Sequence, residues 1–343
     1  MMFQTHTRVT DRAAQKKQRE AGSAAALKAV ASAQLFTQLL LWITFFGYDR
    51  AQQTVWQAVL MIAPVWIALY LVWKNAGDSR WTALPLLLCL QLDSCLVLFA
   101  VSGFIGQLIP QYPPWVGVLI PTAACFAIAL TARVRGVGYG TAVFKWLLMG
   151  LFLFSTVFLR ASNRADRLWP LLGDGLGSTA LAALSGAGSV WACALIFVLP
   201  KNHMPKKNLR WALTPWALGL VWALWFGFVR PWAAGDSLAV AEKIMGLARH
   251  AMSVVTYELA GVLWMLLLPL SLCGCAASTE LLASRAFPKL PRMIPLALAL
   301  LPSCVVLLIW PGEALAVLET LLPWRAVIAL LCGLIGLIRK EKK

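Results

Sequence analysis

The stretch ALPLLLCLQLDSCLVLFAVSGFIGQLI, residues 83–109, decides the fold of this chain. It carries one charged residue, Asp93, among 27 positions. About 20 mostly apolar residues suffice for a helix to cross a bilayer, where no water can satisfy an open backbone. We therefore predict a membrane-spanning helix here.

Nine further stretches of the same kind precede and follow it. The chain is 60% hydrophobic and 13% charged, whereas a soluble domain carries about 25% charged residues. We predict an all-α membrane protein with a single ten-helix transmembrane domain at 27–338, a polar cytoplasmic tail at 1–26 and a basic cytoplasmic tail at 339–343. The predicted spans are 27–47, 54–73, 83–109, 115–133, 141–160, 179–199, 211–229, 252–277, 293–310 and 320–338.

Basic residues alternate between the predicted loops. With both termini in the cytoplasm, 22 of the 30 lysines and arginines lie on the inner side and eight on the outer side. We assign Arg325, near the predicted start of span ten, to the outer eight. This is the positive-inside pattern of an integral membrane protein with two cytoplasmic termini. The net charge of +16 therefore indicates contact with the anionic lipid bilayer and not with nucleic acid.

Four connecting segments have distinctive compositions. Pro110–Pro114 predicts a sharp outer turn, and the glycine-rich segment Arg133–Gly140 predicts an inner turn between spans four and five. Three glycines and a proline in 161–178 predict irregular backbone before span six. Apolar and charged residues in 236–250 recur at helical spacing, which predicts a short amphipathic helix on the outer membrane surface.

Ten spans divide into two halves of five. Because each half has an odd number of spans, the second half lies upside down in the membrane relative to the first. Inverted repeats of this kind are the architecture of many secondary transporters, so we predict a LeuT-like 5+5 fold. Such proteins bind substrate near mid-membrane, where the first helix of each half is interrupted.

Span six offers Ser185, Gly186, Gly188 and Ser189 as candidate ligand-binding residues. Their glycines suit either an unwound segment with open N–H groups or close helix packing. Span one offers Ser32 and Gln34, followed by Thr37 and Gln38, but no glycine or proline. These side chains line a cavity, or the helix is simply continuous.

Asp93 lies about ten residues into span three, beside Gln91. A carboxylate at this depth costs at least ~2.5 kcal/mol, so we expect it to face a cavity or a partner, or to be protonated. It serves ligand binding and coupling, or a buried structural hydrogen bond. Lys145, near the start of span five, either extends to the inner interface or pairs, in coupling, with Asp93 or with the unwound segment of span six.

Tyr257 and Glu258 open span eight from the outer side and complete the candidate ligand-binding set. Glu258 alternatively marks the membrane interface. We predict no enzyme and no cofactor, because the three histidines lie far apart and no phosphate-cradling glycine loop is present. All eight cysteines fall within apolar spans, and the Cys273–Cys275 pair lacks a third ligand, so we predict no metal site.

Several ordered motifs resemble the permease-like B subunits of bacterial spore-germination nutrient receptors, ten-helix members of the amino acid/polyamine/organocation superfamily. The matching segments are Gly103–Pro114, Arg133–Lys145, Leu168–Ser178, Gly186–Pro200 and Glu242–Trp264, and length and span count agree over nearly the whole chain.

The resemblance implies an outward-accessible site for an amino acid or similar small nutrient between spans one, three, six and eight. It implies a sensing subunit that works with an A-type membrane subunit and a C-type lipoprotein in a bacterial cell or spore inner membrane. In sodium-independent members of the superfamily a lysine of the fifth helix replaces a sodium ion, and Lys145 is the matching candidate. Span one departs from the family pattern because it lacks the glycine-containing break. The alternative function is an amino acid/proton secondary transporter.

Overall fold

The computed structural model describes residues 25–47, 55–75, 82–108, 111–157, 175–188, 210–233, 254–287, 289–310 and 312–341. Within these residues every regular element is a helix. Helix α1, Ala25–Phe46, ends in the π-helical turn Ile43–Gly47. The others are α2 (Val55–Asn75), α3 (Ala83–Leu108), α4 (Pro114–Val157), α5 (Gly175–Ala187), α6 (Arg210–Ala233), α7 (Val254–Ala286), α8 (Met293–Ile309) and α9 (Ala314–Glu341).

Six helices of the described part are long and apolar enough to cross a membrane. They contain the segments Ala25–Phe46, Val55–Asn75, Ala83–Gly106, Pro114–Ala132, Met265–Ser284 and Ala316–Ile338. Two shorter apolar segments are Leu213–Leu224 and Met293–Ile309. The large apolar side chains on the surface of these helices, such as Ile67, Leu88 and Leu298, suit contact with acyl chains.

Helix α1 forms the centre of the bundle, because residues 29–46 are all buried. A helix that is buried on every side needs small or apolar residues around its whole circumference, and this segment carries no charged residue. Its polar residues Ser32, Gln34, Thr37 and Gln38 are therefore inside the protein. The described helix is continuous, so the second of the two interpretations of span one is the observed one.

Neighbouring helices pack on α1 and on one another. Helix α7 packs most extensively against α3 and α4, and α2 packs against α5, α6 and α9. Tryptophan indoles join neighbouring helices: Trp73 Nε1 donates to Ala329 O at 2.9 Å, and Trp216 Nε1 donates to Val59 O at 3.0 Å. Each bond satisfies a polar group that lipid could not satisfy.

The inner turn predicted at Arg133–Gly140 is wrong, since helix α4 is continuous through it. Spans four and five are the two ends of this 44-residue helix, about 66 Å long at 1.5 Å per residue. The glycines allow close packing and do not make a turn. A Cβ on Gly138 would stand 2.7 Å from both Ala26 Cα and Ala26 O, so α1 and α4 touch through backbone there.

The start of α5 also differs from the prediction. The helix begins at Gly175, within the segment predicted to be irregular up to residue 178. Gly175 has φ +85°, a conformation that favours glycine, and this explains a glycine at the helix start. A turn after span three is present at residues 111–113, with α4 beginning at Pro114. The predicted surface helix at 236–250 lies outside the described residues.

Candidate functional site

Asp93 and Arg325 form an ion pair in the centre of the bundle. Arg325 Nη1 donates to Asp93 Oδ1, and neither side chain has exposed surface. Asp93 lies ten residues into α3 and Arg325 eleven residues into α9, about 15 Å and 16 Å from the helix starts. Both charges therefore lie well inside the apolar layer, where an ionised side chain needs a partner.

The assignment of Arg325 to the outer side is wrong. Helix α9 begins at Ala314, six residues before the predicted start of span ten, so Arg325 is more than three turns inside the helix. Pro323 lies within the helix as well. The expectation that Asp93 meets a partner is met by Arg325, on the last helix of the chain.

Gln38 of α1 connects the two charged residues. Its Oε1 accepts from Arg325 Nη1 at 3.1 Å, and its Nε2 donates to the backbone oxygen of Asp93 at 3.3 Å. Arg325 Nε also donates to Leu322 O at 3.4 Å. The central cluster of Gln38, Asp93 and Arg325 thus joins α1, α3 and α9, and it is neutral as a whole.

The cluster leaves one guanidinium group unsatisfied. Arg325 Nη2 is buried and has no hydrogen-bond partner among the described residues. A buried polar group without a partner costs roughly 1–3 kcal/mol, and more when it is charged. The cluster therefore has capacity for one more acceptor.

Gln34 forms a second polar layer, one turn before Gln38 on the same face of α1. Its Nε2 donates to Ser271 O at 3.1 Å and to Cys275 Sγ at 3.0 Å, which joins α1 to α7. Gln34 Oε1 and the hydroxyls of Ser271 and Ser278 are buried and have no partner among the described residues. This layer supplies acceptors and hydroxyls next to the central cluster.

The end of α5 closes the cluster from another side. Trp42 Nε1 of α1 donates to Ser185 Oγ at 3.1 Å. A Cβ on Gly188 would stand 2.8 Å from Arg325 Nε and 2.9 Å from Leu322 O. A Cβ on Gly186 would stand 2.8 Å from Ile62 Cδ1 and 3.0 Å from the Trp42 ring. Gly186 therefore packs closely on α1 and α2, and Gly188 lies against the arginine.

Four candidate residues from the sequence lie around this centre. The structure brings Gln34, Asp93, Ser185 and Gly188 to the interior of the bundle, where all four are buried. The α-helix ends at Ala187, and Gly188 lies in a 3-10 turn, within the segment where the interruption was predicted.

Other candidate residues lie elsewhere or cannot be placed. Gln91 points away from the cluster, because its Nε2 donates to Leu298 O of α8. Ser32 is buried on α1, one and a half turns from Gln38. The structure does not describe Ser189, nor the side chains of Lys145, Tyr257 and Glu258.

Arg325 and Gln38 are the residues that the candidate set lacked. The signal for Arg325 was present, because an ionisable residue within an apolar run of span length is a functional hypothesis in itself. It was overlooked because Arg325 was counted with the outer segments, although it lies five residues inside the predicted span 320–338.

A second ion pair lies at the edge of the bundle. Arg292, just before α8, pairs with Glu280 of α7, and its Nη2 donates to Glu280 Oε2 at 3.1 Å. Its Nη1 also donates to Leu130 O of α4 at 3.3 Å. The hydrogen bonds that Arg292 donates to the Glu280 carboxylate raise the pKa of Arg292 further above its usual range, where it is a cation in any case. Arg292 is one-third exposed, unlike Arg325.

Metal-ligating residues do not cluster in the described part of the chain, where no group of three or more His, Cys, Asp or Glu side chains could hold an ion. The seven cysteines described there are free and buried. Asp93, the buried carboxylate of the core, is already paired with a cation.

No family model matches the sequence, and no curated protein matches it. Solved structures do match. A mutant form of the manganese transporter of Eremococcus coleocola has a TM-score of 0.61 at 12% identity, covering 92% of this chain and 78% of that one. Mhp1, a nucleobase-cation-symport-1 family transporter in a closed conformation, has a TM-score of 0.61 at 14% identity, covering 89% of this chain and 77% of that one.

These likenesses show the fold. The chain is an all-α integral membrane protein with the fold of secondary transporters, although its predicted spans four and five are joined in one helix.

Proposed function

We propose that this chain is a permease-like subunit that binds a small nutrient, an amino acid or a similar molecule, and reports its presence as part of a spore-germination receptor. The observation that carries the proposal is the buried cluster of Gln38, Asp93 and Arg325 in the centre of a transporter fold. Charges in this position are expensive and mark ligand pathways. The ordered motifs shared with germination-receptor B subunits favour sensing within this fold.

Sensing requires two conformations with different ligand affinity. The central cluster supplies one of them, because its ion pair ties α3 to α9 through α1. A ligand that competes for Asp93 or Arg325 stabilises a second arrangement of these helices. The free energy of the pair then sets the equilibrium between the two states.

A working secondary transporter is the second candidate, and the two structural neighbours, both transporters, favour it. The charge of the centre argues against a divalent metal as cargo. Among the described residues Asp93 is the buried carboxylate, and Arg325 already neutralises it. A metal ion added there would be repelled by the guanidinium in a medium of low dielectric constant.

The orientation and partners belong to the same proposal. With Arg325 inside the bundle and Arg133, Arg135 and Lys145 within helix α4, seven basic residues remain in the outer segments against 19 in the inner ones, a ratio that favours cytoplasmic termini. An A-type membrane subunit and a C-type lipoprotein are the proposed partners. Co-expression of the three subunits and their joint purification through a tag on this chain tests the assembly.

Flux separates the two candidates. Purified protein is reconstituted into liposomes, and uptake of labelled amino acids is compared with their binding to the same preparation. Binding without uptake supports the sensor. Concentrative uptake driven by a proton gradient supports the transporter. If the protein neither binds nor takes up any small nutrient, both candidate functions are contradicted.

A further inference from the structure

The guanidinium of Arg325 is one acceptor short. Its Nη1 serves both Asp93 Oδ1 and Gln38 Oε1, whereas its buried Nη2 has no partner in the described part of the chain. A guanidinium binds a carboxylate best through two parallel N–H groups. The arrangement is therefore suited to a second carboxylate, brought by a ligand.

Electroneutrality restricts what that ligand can be. Asp93 and Arg325 are the buried charged residues of the described core, and they sum to zero. A ligand with a net charge would leave an uncompensated charge in a medium that does not solvate it. A ligand with one positive and one negative group could bind Asp93 through its positive group and Arg325 through its negative group. The centre would then stay neutral.

Acceptors for the positive group lie one helical turn from Gln38, between α1 and α7. An ammonium has three N–H donors. The carboxylate of Asp93 takes one, and Gln34 Oε1 and the Ser271 hydroxyl, one helical turn away, are buried acceptors without partners among the described residues. The centre of the bundle thus holds unmet donors for a carboxylate and unmet acceptors for an ammonium.

We infer that the Asp93–Arg325 pair is the binding site for a zwitterionic α-amino acid. The ligand carboxylate binds Arg325 through Nη1 and Nη2, and the ligand ammonium binds Asp93 together with Gln34. The pair is closed without ligand and is opened when the ligand replaces each partner. This inference rests on the proposed function and names its ligand class, its two recognition groups and the contact that the ligand breaks.

Thermal stabilisation of the purified protein in mild detergent tests the inference. The amino acids that occur in proteins are added as free ligands, one at a time. The one that raises Tm most is then compared with its own amide and with the corresponding acid that lacks the amino group. We expect the zwitterion to raise Tm, and both analogues to leave it nearly unchanged. Each analogue satisfies one half of the pair and leaves a net charge.

A neutral double variant keeps the test independent of folding. Asp93→Asn with Arg325→Gln preserves charge balance, and we expect it to remain folded while its apparent affinity falls at least about a hundredfold. Glu280→Gln with Arg292→Gln removes the peripheral ion pair instead. This control variant should bind the amino acid as the unmodified chain does.

Three outcomes overturn the inference. In the first, the amide or the deaminated acid stabilises the protein as well as the zwitterion does. In the second, the Asp93→Asn/Arg325→Gln variant binds with unchanged affinity. In the third, an uncharged probe such as inosine or uracil stabilises the protein and no amino acid does. The last of these leaves the proposed nutrient-binding function standing. The absence of binding and flux for every probe contradicts the proposed function itself.

Discussion

Removing one member of the central ion pair should destabilise the protein far more than removing both. Asp93→Asn removes the negative charge beside Arg325 and leaves its guanidinium buried among neutral acceptors such as Gln38 Oε1 and Leu322 O. Removing one partner of a fully buried pair costs about 3–5 kcal/mol, because the other charge stays desolvated. Arg325→Gln leaves the carboxylate in the same position, and we expect a loss of similar size.

The double variant, Asp93→Asn with Arg325→Gln, removes both charges together. Replacing a whole buried pair by neutral groups is often neutral in stability, so its loss should be smaller than that of either single variant. The four proteins form a double-mutant cycle, and we expect a coupling free energy of at least about 3 kcal/mol.

Reversible unfolding in mixed micelles, followed by tryptophan fluorescence, gives the four unfolding free energies. Ligand is omitted, so that the cycle reports the closed pair alone. If the two single losses add up in the double variant, Asp93 and Arg325 are not in contact and the described centre is wrong.

Three further predictions concern the packing around the centre. Gly138→Ala places a Cβ 2.7 Å from the Ala26 backbone and should cost about 1–3 kcal/mol in unfolding free energy. Gly140→Ala, where the new Cβ has nothing within 4 Å, should be neutral or stabilising by up to ~1 kcal/mol. Equal losses in the two variants would show that α1 and α4 do not touch at this point. Ser185→Ala removes the acceptor of the α1 tryptophan at 3.1 Å and should cost about 1–2 kcal/mol in the same assay, and no change would mean that this bond is not formed. Glu280→Gln breaks the partly exposed pair at the edge of the bundle and should cost at most about 1 kcal/mol, screened by salt; a loss as large as that of the central pair would contradict the difference in burial.

The membrane fold was predictable because lipid imposes one requirement on every span. Length and apolar composition placed the first residues of α2 and α3 within one position of the observed ones. Glycine composition was a weaker guide. The same residues favour a turn in water and close helix packing in a bilayer, and at Gly138 packing is the observed outcome.

One of the two charged residues of the site was predictable from the sequence. Asp93 was found because a carboxylate inside a span needs a partner. Arg325 was missed because its helix starts six residues before the predicted span, so that the residue was counted with the outer segments. Which residue Asp93 meets depends on how the last helix packs against the third, and one sequence does not contain that information.

The central claim is that a ligand enters the Asp93–Arg325 pair. A structure of the protein with a bound amino acid, determined in a lipid nanodisc by electron cryomicroscopy, tests this claim most directly. We expect the ligand carboxylate on Arg325 and its ammonium on Asp93, with the direct contact between the two side chains broken. A ligand bound elsewhere, over an ion pair that is still closed, would contradict the account.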